Sequence, residues 1–352
     1  MNLDDRIKTF AKLGSVLNEF LNKESLNGTH QITPVKSFEV LNEAIRLAHI
    51  KNPWFTEENI AYSFLQWSQL LTLEDLTHWT NNYDFESGTP KKVAIIMAGN
   101  IPLVGFHDFL SVLMSGHHVL VKQSSNDDVL LNSLCQILIE IEPKFLERIE
   151  FTEGQLTNFD AVIATGSNNT ARYFEYYFKD VPSIIRKNRT SIAVLSGNES
   201  TEELEALSED IFRYYGLGCR NVSKIYVPDG YNFDPFFNAI YKWHPIIHEH
   251  KYANNYDYNK AVYLMSEFDM LDNGFLVLKQ DEQLASPIAT INYEYYQNKA
   301  SLQSHLETLS DDIQCIVSTG FTEDEVSFGT TQQPGLMAYA DGIDTVEFLL
   351  TI

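Results

Sequence analysis

Apolar positions along the first 90 residues recur with the period of a helix. Leu3, Ile7, Phe10, Leu13, Leu17 and Phe20 fall on one helical face. Similar spacing predicts a second helix over about 38–48 and a third over about 57–71. Thr72, with Asp75 three residues on, resembles a capping box for a short fourth. From Lys92 the texture changes to short apolar runs alternating with helical stretches. Strands are predicted at 93–97, 118–122, 161–165 and 191–195, with helices at about 103–115, 127–141, 169–178 and 202–215. That alternation indicates a parallel α/β sheet with crossovers. Beyond Cys219 a short strand, 224–227, opens a mixed stretch rich in Tyr, Asn and Asp, read as a second lobe. The tail, 345–350, reads as a strand joining a sheet. The expected organisation is therefore a helical region at 1–90, a nucleotide-binding domain at 91–213, a catalytic lobe at 214–330 and a returning strand segment at 331–352. The N-terminal helices are expected to pack on the sheet or on a partner subunit, and nothing catalytic is read in them.

Charge narrows the partners. Lys plus Arg number 25 against 48 Asp plus Glu, a net charge of −23. Such a surface repels phosphate backbones, so no nucleic-acid partner is expected. An anionic ligand must then meet a locally basic or amide-rich pocket. The longest apolar region, 93–121, is interrupted by Asn100, His107, Asp108, His117 and His118, which a membrane span would not accept cheaply. No signal peptide is read at the start. Three widely separated cysteines, Cys135, Cys219 and Cys315, argue against a disulfide framework and for a reducing cytoplasm.

Ligands of parallel α/β sheets sit at the carboxyl ends of strands. Asn100, Lys122 and Gly166 all lie at such predicted ends, on one rim. Gly166 and Ser167 open a helix after a buried strand, where free N–H groups and the helix dipole favour a phosphate; without a G-x-G-x-x-G pattern, an ordinary strand-to-helix turn explains them equally. Lys122 with Ser124 and Ser125 suits a ribose or 2′-phosphate, or is a solvated strand end. Asn100, between Gly99 and Ile101-Pro102, is either an amide donor to an oxyanion or a turn residue satisfying its own backbone. Cys219 follows Gly216-Leu217-Gly218 at a loop edge. It is a nucleophile if something activates it, and a structural thiol otherwise. Cys135 and Cys315 lie in apolar surroundings and read as core. His244, His248 and His250 invite a metal reading, but Pro245 and the lack of a well-spaced acid argue against it, and no metal is expected. The run 251–259 reads as a polar aromatic loop.

The ordered set of segments resembles the aldehyde dehydrogenase superfamily. Within it, the set is most similar to the acyl-CoA reductases that supply aldehyde in bacterial bioluminescence and to their non-luminous relatives. The residues that carry the resemblance are Ala98-Gly99-Asn100-Ile101-Pro102, His118 to Lys122, Ala164 to Ser167, Gly216 to Cys219, His250 to Tyr258, and Tyr339 to Thr345. It covers about residue 90 to the end and implies an aldehyde-dehydrogenase-like fold, a Rossmann-type parallel-sheet domain with a second α/β catalytic lobe. It also implies roles. Cys219 would take the acyl group as an enzyme thioester. Asn100 would be the side-chain donor of the oxyanion hole, with the Cys219 backbone N–H as companion. Lys122 would contact the adenosine ribose, and Gly166 and Ser167 would stand over the pyrophosphate.

Two departures shape the expectation. Aldehyde-oxidising members carry a water-activating glutamate before the strand that precedes the nucleophile; here 184–189 holds no acid, which suits a reductase. Those preferring NAD often carry a glutamate three residues after the lysine; here Ser125 stands there, which favours NADPH over NADH. The expected activity is reduction of an acyl thioester, fatty by resemblance, to the aldehyde. The acyl donor would be acyl-CoA or an acyl-enzyme. Competing readings are an NAD-linked aldehyde dehydrogenase and a silent partner of an acyl-processing enzyme. Homo-oligomerisation and association with an acyl-activating enzyme both stay open.

Overall fold

The computed structural model describes residues 1–22, 35–85 and 89–352; the portions of the helical lead-in at 23–34 and 86–88 lie outside the described residues. The chain divides into two compact units, Met1–Lys187 with Gly335–Ile352, and Asn188–Pro334. The expected break at 213/214 lies inside the second unit.

The first unit opens with α1 (Leu3–Leu21), α2 (Val35–Lys51), α3 (Glu57–Leu70) and α4 (Leu73–Thr80). Their starts are built by side chains: Asn2, Thr56 and Thr72 each accept a backbone N–H of the first turn. Then come β1 (Lys92–Ile96), α5 (Phe106–Met114), β2 (His118–Lys122), α6 (Leu130–Ile141), β3 (Ile149–Phe151), β4 (Ala161–Thr165), α7 (Asn168–Tyr177) and β5 (Ser183–Arg186). The five strands form one sheet in the order β3-β2-β1-β4-β5, and every pairing is parallel. Side-chain alternation sorts the strand residues. Val93, Ile95, Val119, Val121, Ala161 and Ile163 join the large core with Phe10, Leu13, Phe64 and Trp79 of the N-terminal helices. Ala94, Leu120, Val162 and Ala164 face the other way, under Phe174 and Phe178. Both faces are covered, so the strands read as unbroken apolar runs. Of the two places expected for the N-terminal helices, the sheet holds them.

The second unit contains β6 (Thr190–Val194), α8 (Thr201–Phe212), β7 (Val222–Pro228), α9 (Asp234–Ile240), α10 (His250–Met265), β8 (Met270–Asp272), β9 (Val277–Gln280), β10 (Thr290–Tyr296), α11 (Lys299–Thr308) and β11 (Ile313–Val317). Its sheet runs β11-β6-β7-β10-β9-β8, parallel except for the β8–β9 pair. The strand expected in the nucleotide-binding domain near 191–195 is β6, and it pairs with β7 and β11 instead.

Two local expectations are corrected. The run 251–259 is not a loop but most of α10. Its buried residues are Tyr252, Tyr256, Asn259 and Tyr263, at helical spacing, so tyrosines form the apolar stripe. The tail expected as a strand is a helix, α12 (Thr345–Thr351), capped by Asp344 accepting the Glu347 N–H. Its buried residues Thr345, Val346 and Leu349 share one helical face, which a two-residue period would have split. Polar contacts knit this tail into the first unit. The buried Arg186 guanidinium donates to Asp108 and to Thr345 Oγ1, each at 2.8 Å. The Trp79 indole donates to the Tyr339 hydroxyl at 2.7 Å, and the Tyr83 hydroxyl to Asp344 at 2.6 Å. His117 Nδ1 accepts the Lys91 N–H, which leaves Nε2 to donate to the Leu349 carbonyl at 2.8 Å.

Candidate active site

The strand order of the first unit has a reversal. From β1 the chain moves outward through β2 to β3, then returns to place β4 and β5 on the other side of β1. The crevice beyond the carboxyl ends of β1 and β4 is therefore a topological switch point, where doubly wound sheets take dinucleotides. Asn100 lies on the loop after β1, Lys122 ends β2, Ser124 and Ser125 follow it, and Gly166 and Ser167 follow β4. The structure thus brings together on one rim the residues that the pattern placed at strand ends.

Each is held by local chemistry. A Cβ at Gly99 would lie 2.7 Å from Cβ and Oγ of Ser124, so glycine allows the loop after β1 to close on the loop after β2. Ser124 Oγ also accepts the Asn126 N–H at 3.2 Å. Lys122 Nζ donates to the Gly154 carbonyl at 2.8 Å, and Ser125 is exposed. A Cβ at Gly166 would meet Phe174 and Thr170 at 3.0 Å, so α7 packs close beneath the turn. Ser167 caps α7 by accepting the Thr170 N–H at 3.2 Å. These residues fit a dinucleotide: a glycine turn with a ten-residue helix N-terminus after β4, and a lysine with two hydroxyls after β2.

Sequence reasoning missed Asp127. Its carboxylate accepts the Leu103 N–H at 2.9 Å, and Leu103 has a left-handed backbone with φ of 58°. Burial pushes this carboxyl up to about 6, against the pull of that N–H. Ser63 of α3 adds a second tie by donating to the Pro102 carbonyl at 3.2 Å. The loop carrying Asn100 is thus fastened from two sides.

Cys219 belongs to the second unit and is exposed, whereas Cys135 and Cys315 are buried. It occupies the second position of a four-residue turn closed by the Asn221 N–H donating to the Gly218 carbonyl at 3.0 Å. Asn221, also missed, is the buried anchor. Its Oδ1 accepts the Gly218 N–H at 2.8 Å, and its Nδ2 donates to the carbonyls of Asp210 at 3.0 Å and Arg213 at 2.8 Å. Ser191 Oγ donates to the Cys219 carbonyl at 3.0 Å. Just upstream, Tyr214 and Tyr215 adopt left-handed φ of 55° and 59°, followed by Gly216 at 75°. Two consecutive tyrosines in that region cost on the order of 1–3 kcal/mol each, strain of the kind that clusters at functional sites. Arg220, adjacent in sequence, donates to the Cys315 sulfur at 3.3 Å. Burial pushes the Cys135 thiol far up, which suppresses its thiolate.

His244 and His248 lie in a 3-10 segment, Tyr241–His248, and His250 begins α10. Their ring contacts are with Tyr241, Phe275 and each other. Among the described residues no group of three or more His, Cys, Asp or Glu could hold a metal ion. Nor is any helix among them long and apolar enough to cross a membrane.

Residues 68–241 match the acyl-CoA reductase (LuxC) family model. That stretch contains Asn100, Lys122, Gly166, Ser167 and Cys219. A long-chain acyl-protein thioester reductase of Aliivibrio fischeri is 22% identical over 260 residues, covering 67% of this chain and 53% of the relative. The chain thus spans about half the length of the curated relative it matches. Among solved structures, the aldehyde dehydrogenase KauB of Pseudomonas aeruginosa has a TM-score of 0.62 at 12% identity, covering 90% of this chain and 72% of that one. The P. syringae indole-3-acetaldehyde dehydrogenase AldA, solved with NAD+, has a TM-score of 0.63 at 12% identity, covering 92% and 74%. The fold is aldehyde-dehydrogenase-like.

Proposed function

We propose that this chain, whose residues 68–241 match the acyl-CoA reductase (LuxC) family model, reduces an acyl thioester to the aldehyde. The observation that carries the reading is Cys219, exposed on a turn fixed by Asn221 and Ser191, inside the stretch that matches that family. The Aliivibrio fischeri relative is a long-chain acyl-protein thioester reductase, which supports a thioester as substrate class.

In this reading Cys219 acts as thiolate. Its sulfur attacks the thioester carbonyl carbon, the bond from that carbon to the donor sulfur breaks, and the donor leaves as a thiol after taking a proton. The acyl group stays on Cys219. Asn100 serves as an amide donor to a developing oxyanion. A reduced nicotinamide, if held at the switch point, would supply the hydride chemistry that takes the acyl carbon to the aldehyde level. Collapse of the Cys219 hemithioacetal breaks the carbon–sulfur bond, releases the aldehyde and restores the thiol. Lys122, Ser124, Ser125, Gly166 and Ser167 would hold the cofactor, which we assign as NADPH because no carboxylate stands at position 125. Residues 183–189 offer no carboxylate to activate water, and Arg186 there is committed to a buried ion pair with Asp108. This favours transfer and reduction over hydrolysis. A fatty acyl chain and a cytoplasmic setting complete the proposal.

The test is incubation with labelled acyl-CoA without cofactor, followed by mass spectrometry of the peptides. Label on Cys219 is expected; label elsewhere, or none, overturns the mechanism.

A further inference from the structure

The first unit holds a second cavity, away from the switch point. Its volume is about 850 Å³, and its lining includes Leu3, Arg6, Phe85, His117, Arg148 and Leu349. His117 precedes β2 and Arg148 precedes β3, so the cavity lies toward the amino ends of those strands, whereas Asn100, Lys122 and Gly166 follow carboxyl ends.

Its chemistry is unusual for a chain this acidic. Arg6, in the first turns of α1, is only 6% exposed, yet its Nε has no hydrogen-bond partner. Among the described residues no carboxylate forms an ion pair with its guanidinium: Asp4, on the lining, is engaged by Lys8 at 2.6 Å, Asp84 also lines the cavity, and Asp5 acts on Arg6 through its charge alone. A buried guanidinium without a hydrogen-bonded counter-ion is costly, and folded proteins normally supply one. A second guanidinium makes this worse. Arg148 Nη1 donates to the Gly116 carbonyl at 2.5 Å, while Arg6 Nη1 would lie 2.2 Å from a Cβ at Gly116. Both cations therefore meet at one residue, which is a glycine with φ of +85°. Burial, and then the charge of Arg148, push Arg6 down to about 10, against the smaller opposite effect of Asp5. Leu3, Phe85 and Leu349 add apolar surface to a lining that is otherwise largely polar.

We propose that this cavity is a second ligand site, which takes an amphipathic anion with its carboxylate or phosphate head on Arg6 and Arg148 and its apolar part against Leu3, Phe85 and Leu349. An anion there supplies the ion pair that Asp5 does not make, through charge-assisted, forked hydrogen bonds. The site is independent of the reductase reading, and its test reads binding rather than turnover.

The whole chain is titrated calorimetrically with octanoate and, separately, with inorganic phosphate, at constant ionic strength made up with chloride. The parent binds at least one of the two; which one identifies the head group. Arg6→Met weakens that binding on the order of tenfold or more, the scale of one lost charge-assisted contact. Lys242→Met, an exposed lysine of the second unit, leaves it unchanged. Without anions, Arg6→Met melts no lower than the parent, because it removes an unpaired buried charge. Arg148→Met provides the same binding test if Arg6→Met does not fold. No binding of either anion, binding retained in both arginine variants, or loss of binding in Lys242→Met overturns the proposal.

Discussion

The Asp127 carboxylate accepts the Leu103 backbone N–H at 2.9 Å, and this bond joins the loop after β2 to the loop after β1. Leu103 sits in the left-handed region, which a bulky residue occupies only when its surroundings impose it. The contact lies three residues from Asn100, on the far side of Pro102. The rim is therefore not a set of independent loops. A buried acid on one turn fixes the path of the turn that presents the amide.

Removing that acceptor should loosen Asn100 without unfolding the sheet. Asp127→Ala is expected to lower kcat roughly tenfold with a smaller change in cofactor affinity, as for a misplaced oxyanion donor. Asp127→Asn keeps an acceptor oxygen and should retain most of the turnover. Steady-state kinetics on both variants decides it, and equal kcat in parent and Asp127→Ala would detach the clamp from the chemistry.

The same residue gives a signed pH effect. Its carboxyl is raised from 3.8 to about 6 in the folded state, chiefly by burial. The folded protein then binds this proton more tightly than the unfolded chain. The stability it contributes is present below about pH 4 and is lost as pH rises through about 6. Asp210, raised to about 6 by burial while it accepts from Gly329 and Thr331, adds a step of the same sign. Asp127→Asn should therefore flatten the decline in unfolding free energy between pH 4 and 6, by on the order of 2 kcal/mol. Denaturant titrations at several pH values would reveal an unchanged slope if the burial argument is wrong.

Cys219→Ala is expected to abolish acylation and reduction while the fold survives, because an exposed turn thiol has few packing contacts to lose. Cys135→Ala and Cys315→Ala should keep the chemistry and lose only stability, since both sulfurs are buried. Reductase assays and thermal melts on the three variants separate these outcomes. Full activity in Cys219→Ala would end the thioester mechanism.

Asn221→Ala attacks the support of that turn. It strands the Gly218 N–H and the carbonyls of Asp210 and Arg213 in a buried place. The expected cost is about 2–4 kcal/mol. Alkylation of Cys219 by iodoacetamide should also change rate, because the turn loses the bond that orients it. A variant as stable as the parent would show that water replaces these bonds.

What the sequence made legible follows from which signals are local. β1, β2 and β4 were readable because both faces are covered, so Val93 to Ile96 and Val119 to Val121 are continuous apolar runs. The edge strand β3 was not, because Glu150 and Phe151 are exposed. α10 was hidden because its buried stripe is made of tyrosines, which read as polar. Asn100, Lys122 and Gly166 could be placed on one rim because strand ends are predictable from the pattern. Asp127 and Asn221 were not, because each acts on backbone groups of another segment: Leu103, 24 residues away, and Asp210, 11 residues away.

The remaining prediction concerns the cofactor. Ser125 is exposed, on the turn where the Asp127 N–H donates to the Ser124 carbonyl, three residues after Lys122. A hydroxyl there neither repels a 2′-phosphate nor offers a carboxylate to a ribose 2′-hydroxyl. NADPH should therefore bind more tightly than NADH. Ser125→Glu would place a negative charge on this turn. At an exposed position solvent and salt screen the repulsion, so the cost to NADPH is about 1 kcal/mol, roughly a fivefold rise in Kd. NADH, without the phosphate, should be little affected or gain a hydrogen bond. Both dissociation constants, measured at fixed salt on parent and variant, test the assignment. Tighter NADH binding in the parent would show that position 125 does not face the 2′-phosphate, and the cofactor would then be NADH.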